Sequence, residues 1–483
     1  MKNILFLLIL LSSVSFFKIY PQNNKENEAW EKLCNNNFPE SRNLFLSVIE
    51  SDKNNLRANL GLYYFNRYKG NMPDAWSYFK NIIDSETSFQ PYLYSSLLVF
   101  NSEMTNSEKE GEIPTVLKKA VEYPDNLKIL PAMIKERLAE FYLERGNKEL
   151  SQKYNSEINA ILNWQIIGPF DNISASGFDK KFPPETEYTE NAEYTGKNGV
   201  PAKWFPIKKV RPDGWIDFNR YFAFNEAIFY GNTFIYSPQN QKVLVRAGTS
   251  GSLKIFLNDF MIYDYFDENN NDLDTYIIET ELTKGWNRLL IKCGFSEINN
   301  CNFLIRLSDT EGNDLEGIKY SAENQKYTKA ENLSCKYIPN FAEEYFLRKI
   351  KNQPAEMENY LLLADSYLRN DKAIEAELVL KDGLKQYPNS ALFLTILLEA
   401  YLRGEKYDEA SSVREKLYLL DNENSLLITA KIGENLRNQD YAAAEELLNK
   451  LADISPESQL YYTTAISLHA KKGNIEKLIA LSK

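Results

Sequence analysis

The chain offers few residues for acid–base or nucleophilic chemistry. Its 483 residues include one histidine, His469, and four cysteines. A serine or cysteine nucleophile needs a general base, which is most often histidine, and zinc sites need several His or Cys ligands at short spacing. Because His469 stands late in a helical segment and no CxxC pair occurs, these residues predict no catalytic group, no metal site and no cofactor.

The cysteines are Cys34, Cys293, Cys301 and Cys335. Cys293 and Cys301 flank a turn and could meet across a hairpin. Four cysteines allow three pairings, between which a sequence cannot choose. Buried free thiols are the equally weighted alternative.

Carboxylates remain as candidates, since a glycosidase needs only two of them at a suitable separation. Five lie in the central region without a motif that singles any of them out, and we interpret them as solvated loop charges: Asp171, Asp179, Glu185, Asp213 and Asp217. The run DENNNDLD, residues 267–274, has oxygen ligands suited to calcium but lacks the glycine and the final glutamate of an EF-hand. A solvated hairpin loop is the favoured interpretation of this run.

Aromatic residues are the other candidates for ligand binding. Trp204, Trp215 and Trp286 fall within one strand-rich region, and indole rings can present flat surfaces to sugars. Asn258, at a turn between two strands, is a fourth candidate for ligand binding. Packing explains these tryptophans equally well. For Trp286, in the stretch KGWNRLLIKCG, a structural corner is favoured over an exposed platform.

The last third of the chain has a period of 34 residues. Small, aromatic and turn residues recur at this step: Ala376, Ala410 and Ala444; Tyr367 and Tyr401; Pro388, Asn422 and Pro456. Each period holds two amphipathic helical stretches, with a small residue where the paired helices touch. The pattern resembles the tetratricopeptide repeat, a helix–turn–helix unit of the same length, with at least three repeats between about residues 359 and 456.

Two other regions precede the repeats. Residues 24–162 show weaker helix–turn–helix periodicity, which predicts a repeat-like helical domain. Residues 163–320 alternate apolar and polar residues between turns, as in SLKIFLND, which predicts an antiparallel β-sandwich. With the repeats at residues 337–483, we expect an α+β multidomain protein in which α-solenoid arrays flank the sandwich.

The sheet region resembles galactose-binding-like jelly rolls in the order of SLKIFLNDFMIYD, IIETELTKGWNRLLIKCG and FLIRLSD. The stretch from WQIIGPFDN to AIFYGNTFIYSP also resembles the N-terminal part of exported bacterial proteins that join tetratricopeptide repeats to a transglutaminase-like domain. This resemblance covers roughly residues 163–318 and implies a jelly-roll fold and export. The chain stops before such a catalytic domain would begin, so no catalytic residue is carried over.

The first residues, MKNILFLLILLSS, place a lysine before a short apolar run and small residues. This is typical of a signal peptide, predicted over residues 1–21, and implies a periplasmic or secreted location. The net charge of −11 and the lack of a basic block argue against a nucleic-acid surface. No later segment of the sequence is apolar enough to predict a membrane span.

Three functions fit these features. The leading hypothesis is a non-enzymatic scaffold that binds a protein or peptide partner on the concave face of its repeats. The alternative is a carbohydrate-binding protein that recognises a polysaccharide through the jelly roll. A third hypothesis is the accessory half of a split transglutaminase-like system.

Overall fold

The computed structural model describes residues 21–97, 112–186, 188–189, 191–208, 210–456 and 458–481. The predicted signal peptide, residues 1–21, lies outside these ranges except for Pro21. Within them, an N-terminal helical array, a central antiparallel sheet and a C-terminal helical array follow one another along the chain. The predicted α+β multidomain architecture is confirmed.

The described part of the N-terminal array contains α1 (Pro21–Cys34), α2 (Phe38–Ser51), α3 (Leu56–Tyr68), α4 (Met72–Ser85), α5 (Gln90–Ser96), α6 (Glu112–Glu122), α7 (Ile129–Glu144) and α8 (Lys148–Ser156). Asn55, Asn71 and Asn147 begin three of these helices, because each side chain accepts a hydrogen bond from a backbone N–H of the first turn. Successive helices pack in pairs, α1 with α2, α3 with α4 and α7 with α8.

Eleven described strands form one antiparallel sheet that is not closed into a barrel, and two more form a separate ribbon. The sheet contains β1 (Gln165–Asp171), β4 (Phe205–Pro206), β5 (Ile216–Asp217), β6 (Ala227–Ser237), β7 (Gln241–Leu257), β8 (Phe260–Asn270), β9 (Tyr276–Leu282), β10 (Gly285–Phe295), β11 (Asn302–Ser308), β12 (Lys319–Ser321) and β13 (Lys336–Ile338). The ribbon contains β2 (Glu193–Thr195) and β3 (Pro201–Lys203). Strand β13 pairs with β9 and so extends the sheet beyond residue 320.

Strand β7 is shared by two parts of the sheet. Its first part pairs with β9 and β11, and its second part pairs with β8 and β10. Side chains alternate between the two faces of a strand. In β10, Leu289, Ile291 and Cys293 therefore join the apolar core. Arg288 and Lys292 point to the other face, where they are also buried and form ion pairs.

The described part of the C-terminal array contains α9 (Phe341–Asn352), α10 (Met357–Arg369), α11 (Ala373–Gln386), α12 (Ala391–Arg403), α13 (Tyr407–Leu420), α14 (Ser425–Arg437), α15 (Tyr441–Ile454), α16 (Gln459–Lys472) and α17 (Ile475–Leu481). The helices α10, α12 and α14 are the first helices of three repeats, and α11, α13 and α15 are the second helices. Ala376, Ala410 and Ala444 lie in these second helices, and all three are buried.

The other predicted repeat residues lie at helix ends. Tyr401 is buried near the end of α12, and Tyr367 is half-buried near the end of α10. Pro388 and Pro456 are exposed, two residues beyond the last residues of α11 and α15. Proline has no backbone N–H to donate within a helix, so both residues mark the ends of second helices.

The two helical arrays pack directly against each other. Helix α3 lies against α10 and α12, and α5 lies against α9 and α10. One apolar core therefore runs through both arrays. Three ion pairs connect α3 and the residue that follows it to the repeats: Arg57–Glu358, Arg67–Asp365 and Lys69–Asp421.

The segment at residues 271–275 joins the sheet to both arrays. The carboxylate of Asp272 lies 3.5 Å from Arg137 of α7 and 2.7 Å from Arg369 of α10. Asp274 is 1% exposed and lies between Arg246 of β7 and Arg306 of β11. The interpretation of DENNNDLD as a solvated hairpin loop is therefore wrong. Residues 267–270 belong to strand β8, and in the second half arginines from the surrounding elements supply counter-charges to Asp272 and Asp274.

Candidate functional site

A cavity remains open between the two helical arrays, and we call it the interarray channel. It is bounded by α3, α4 and α5 on one side and by α10, α12 and α14 on the other. Its volume is about 490 Å³, which lies within the range of roughly 300–1,000 Å³ usual for ligand pockets. The channel is therefore large enough to hold part of a partner molecule.

The charged groups of the interarray channel are paired with one another. Arg67 Nη1 lies 2.6 Å from Asp365 Oδ2, and Arg403 Nη2 lies 2.8 Å from Glu399 Oε1. The hydroxyl of Tyr64 also donates to Asp365, at 3.0 Å. Burial raises the pKa of Asp365, and the charge and hydrogen bond of Arg67 offset this only in part.

The remaining wall of the channel is largely apolar. It includes Met72, Leu368, Leu392, Ile396 and Leu426. A strongly charged ligand would have to break the ion pairs already present, at the cost of leaving a buried charge without a partner. The channel is therefore suited to a neutral ligand with apolar groups, such as an extended protein segment.

The sequence predicts that a partner binds on the concave face of the repeats. In the structure, the N-terminal array covers part of the first helices of the repeats. Helix α3 packs on α10 and α12, and the Ser95 hydroxyl of α5 lies 2.6 Å from that of Ser366 in α10. The interarray channel is the part of this surface that the N-terminal array leaves open.

Trp204 and Trp286 occupy different surroundings. Trp204 is 9% exposed, packs on Tyr188 and has an indole N–H without a hydrogen-bond partner among the described residues. Trp286 is half-buried and meets Tyr236 edge-on across the β6–β10 pair, with ring centroids 5.4 Å apart. Gly285 before it has φ of +99°, a left-handed conformation that favours glycine. These contacts fit the interpretation of KGWNRLLIKCG as a corner of the sheet.

Asn258 lies at the tight turn between β7 and β8 and is 1% exposed. Its Nδ2 donates to Asn287 Oδ1 at 2.8 Å, and its Oδ1 accepts from the backbone N–H of Arg288 at 2.9 Å. Its φ of +52° is one that asparagine tolerates better than most residues. Both ends of the Asn258 amide are therefore engaged in holding the turn and do not reach a ligand.

Trp215 lines a second cavity, of about 480 Å³, which we call the junction cavity. The cavity lies between α7, α8 and the sheet, away from the other three ligand-binding candidates. The indole Nε1 of Trp215 donates to Oε1 of Glu136 at 2.8 Å. Burial raises the pKa of Glu136 to about 7, although the nearby charge of Arg137 acts in the opposite direction.

The five candidate carboxylates of the sheet region do not act as a pair. Each is matched to a lysine or arginine: Asp171 to Lys197, Asp179 to Lys254, Glu185 to Lys292, and both Asp213 and Asp217 to Arg211. Among the described residues, no group of three or more His, Cys, Asp and Glu side chains is arranged to hold a metal ion.

His469 lies in α16 and is 5% exposed. Its Nδ1 has no hydrogen-bond partner among the described residues, and burial lowers its pKa. The four cysteines carry free thiols, of which Cys335 alone is exposed. The structure thus contains buried thiols and no bond between Cys293 and Cys301.

The sequence motifs do not reveal the buried charge cluster at Asp274. Arg246 and Arg306 face each other across the β7–β11 pair, and both bind the Asp274 carboxylate. The signal was present in KVLVRAG and FLIRLSD, where an arginine stands within an otherwise apolar strand. A buried arginine requires a counter-charge, but the sequence does not indicate which of the many acidic residues supplies it.

The described residues contain no helix whose length and apolar character would allow it to cross a membrane. No protein-family profile and no curated protein matches the chain. A similar solved structure is a tetratricopeptide repeat protein from Parabacteroides merdae ATCC 43184, with 20% sequence identity and a TM-score of 0.26. The match covers 29% of this chain and 56% of that one, so the chain spans about half the length of that protein. At this TM-score the likeness does not bear on function.

Proposed function

We propose that this protein is an exported, non-enzymatic scaffold that binds an extended segment of a partner protein in the interarray channel. The observation that carries the proposal is the open channel along the first helices of the repeats, with apolar walls and internally paired charges. Solenoid repeats use this helical face to bind proteins. In this chain, α3 packs on the first helices of the repeats, so the interarray channel is narrow rather than a broad groove.

The interarray channel favours an extended peptide over a folded domain. Its volume of about 490 Å³ holds only a few side chains. The partly exposed side chains of Met72 and Leu426 offer the apolar contact that stabilises such a segment, at roughly 25 cal/mol for each Å² buried. We propose that the central sheet is a jelly roll that fixes the angle between the two helical arrays and so keeps the interarray channel open.

The test is the substitution Thr395→Trp, whose larger side chain would fill the interarray channel. Thr395 lines the channel, and its hydroxyl donates to the backbone carbonyl of Ala391 at 2.8 Å. The matched control is Thr463→Trp on α16, where the threonine is exposed and its hydroxyl makes the same bond four residues back, to Gln459 at 2.9 Å. Partner capture would be compared by quantitative crosslinking and mass spectrometry in the native host.

We expect one set of proteins to crosslink to the wild type and to Thr463→Trp, and to be lost from Thr395→Trp. Peptides from the captured protein should then bind the wild type in isothermal titration calorimetry. Capture that is unchanged by Thr395→Trp would refute the channel as the binding site. A folded Thr395→Trp variant, checked by circular dichroism, is required for either conclusion.

A further inference from the structure

The junction cavity has a surplus of hydrogen-bond acceptors. Asn271 is 6% exposed and lines it; its Nδ2 donates to the Tyr276 hydroxyl at 2.7 Å, while its Oδ1 receives no hydrogen bond from any described residue. The Oδ1 of Asn155, on the α8 side, is buried and likewise receives none. An unsatisfied buried acceptor costs free energy, so both oxygens indicate a missing donor.

Glu136 adds a third free acceptor. Its Oε1 receives the Trp215 indole N–H, and its Oε2 has no hydrogen bond from the described residues. Burial favours the protonated form of this carboxyl group, so near neutral pH Oε2 can either accept or donate a hydrogen bond. Trp215 is half-buried and contributes part of its indole to the same wall.

The cations around the cavity are already engaged. Arg211 donates to both carboxylate oxygens of Asp213, from Nε to Oδ1 at 3.1 Å and from Nη2 to Oδ2 at 2.5 Å. Arg137 contacts Glu140 at 3.1 Å and Asp272 at 3.5 Å. With Arg220, the lining contains three guanidinium groups and four carboxyl groups. Because these charges nearly balance, the cavity offers little net attraction to a charged ligand.

We propose that the junction cavity is a binding site for a neutral, polyhydroxylated ligand of the sugar class. Hydroxyl groups would donate to the free oxygens of Asn155, Asn271 and Glu136, and the apolar C–H face of a sugar ring would lie on the indole of Trp215. A primary ammonium would also satisfy the acceptors, but it would lie among three guanidinium groups. This site is separate from the interarray channel and goes beyond the scaffold function.

The experiment is saturation-transfer-difference NMR on the full mature chain, followed by calorimetric titration of each sugar that gives a signal. The sugar probes are D-glucose, D-galactose, N-acetyl-D-glucosamine, maltose, cellobiose and lactose, and the ammonium probes are lysine and putrescine. The test variants are Trp215→Phe, which removes the indole donor, and Glu136→Gln, which keeps the size of the side chain. The matched control is Trp204→Phe, a tryptophan of the same region outside the cavity.

We expect at least one sugar to bind the wild type and Trp204→Phe with equal affinity, and binding to weaken about tenfold or more in Trp215→Phe. The reason is that phenylalanine offers a smaller ring to the sugar and no longer holds the Glu136 carboxyl group in place through the indole N–H. Glu136→Gln should weaken binding while leaving the thermal midpoint within a few degrees. The proposal is overturned if no sugar binds, if only lysine or putrescine binds, or if Trp204→Phe weakens sugar binding as much as Trp215→Phe. Partner capture through the channel is scored separately, so either proposal can fail alone.

Discussion

The substitution Asp274→Asn tests whether the buried charge cluster holds the sheet to the helical arrays. Asp274, Arg246 and Arg306 are 1%, 0% and 5% exposed. Asp274 Oδ1 accepts from Arg306 Nε at 2.8 Å, and Oδ2 accepts from Arg246 Nη1 at 3.0 Å and from Arg306 Nη2. Arg246 Nη2 also donates to the carbonyl of Leu127, which precedes α7, at 2.6 Å.

The expected loss of unfolding free energy follows from the two arginines that the substitution leaves without their shared carboxylate. Asparagine keeps the size of the side chain and tolerates the φ of +60° found at this position, so the change removes charge without straining the backbone. Two buried guanidinium groups then lose the carboxylate that both of them bind. Removing one partner of a buried ion pair costs about 3–5 kcal/mol. We expect the free energy of unfolding of the sheet to fall by about that amount.

The assay is urea unfolding followed by tryptophan fluorescence and circular dichroism. The matched control is Asp267→Asn, an exposed aspartate of the same run, DENNNDLD, whose substitution should change stability by no more than about 0.5 kcal/mol. A loss below about 1 kcal/mol for Asp274→Asn, similar to the control, would refute the assignment of a structural role to the cluster.

The same cluster has a pH signature. Burial raises the pKa of Asp274, but the charges of Arg306 and Arg246 and their hydrogen bonds outweigh it and hold the pKa below its ordinary value of 3.8. A carboxyl group with a lowered pKa in the folded state stabilises the protein above its unfolded-state pKa and loses that contribution as the pH falls through the folded-state value. The difference in unfolding free energy between wild type and Asp274→Asn should therefore be largest at neutral pH and should decrease below about pH 4.

Three further predictions concern separate parts of the molecule. Gly383→Ala should destabilise the repeats by about 1–3 kcal/mol, because the new Cβ would lie 2.1 Å from a ring carbon of Phe393; Gly433→Ala, on a helix without such a contact, should stabilise them by about 0.5–1 kcal/mol in the same urea assay. Burial raises the folded-state pKa of Glu136 from 4.5 to about 7, so wild type should lose thermal stability relative to Glu136→Gln as the pH rises across that interval. Thermal midpoints that change equally with pH in the two proteins would contradict this. In the native protein, Ellman's reagent should label Cys335 rapidly and leave the other thiols, which are buried and have raised pKa values, until urea is added.

Local periodicity determined much of the fold from sequence alone. The 34-residue spacing of Ala376, Ala410 and Ala444 identified the helix pairs, because a small residue at a helix–helix contact is a requirement of each pair by itself. The alternation in KGWNRLLIKCG placed Leu289 and Ile291 on one face of β10, because neighbouring strand residues always face opposite sides. Both inferences depend only on residues close together in the chain.

The candidate sites depended on contacts that no local pattern encodes. Arg67 meets Asp365, 298 residues away in the sequence, and Arg246 meets Asp274 and Leu127 from different elements. Of the predicted ligand residues, Trp215 alone lines one of the two cavities described above, because α7 and α8 pack beside its loop. The Asn258 side chain makes its hydrogen bonds within the turn region. Sequence alone determined the helices, the strands and their apolar faces; the tertiary structure decided that α3 covers the repeats and where the two cavities lie, since burial and charge pairing are properties of distant elements brought together.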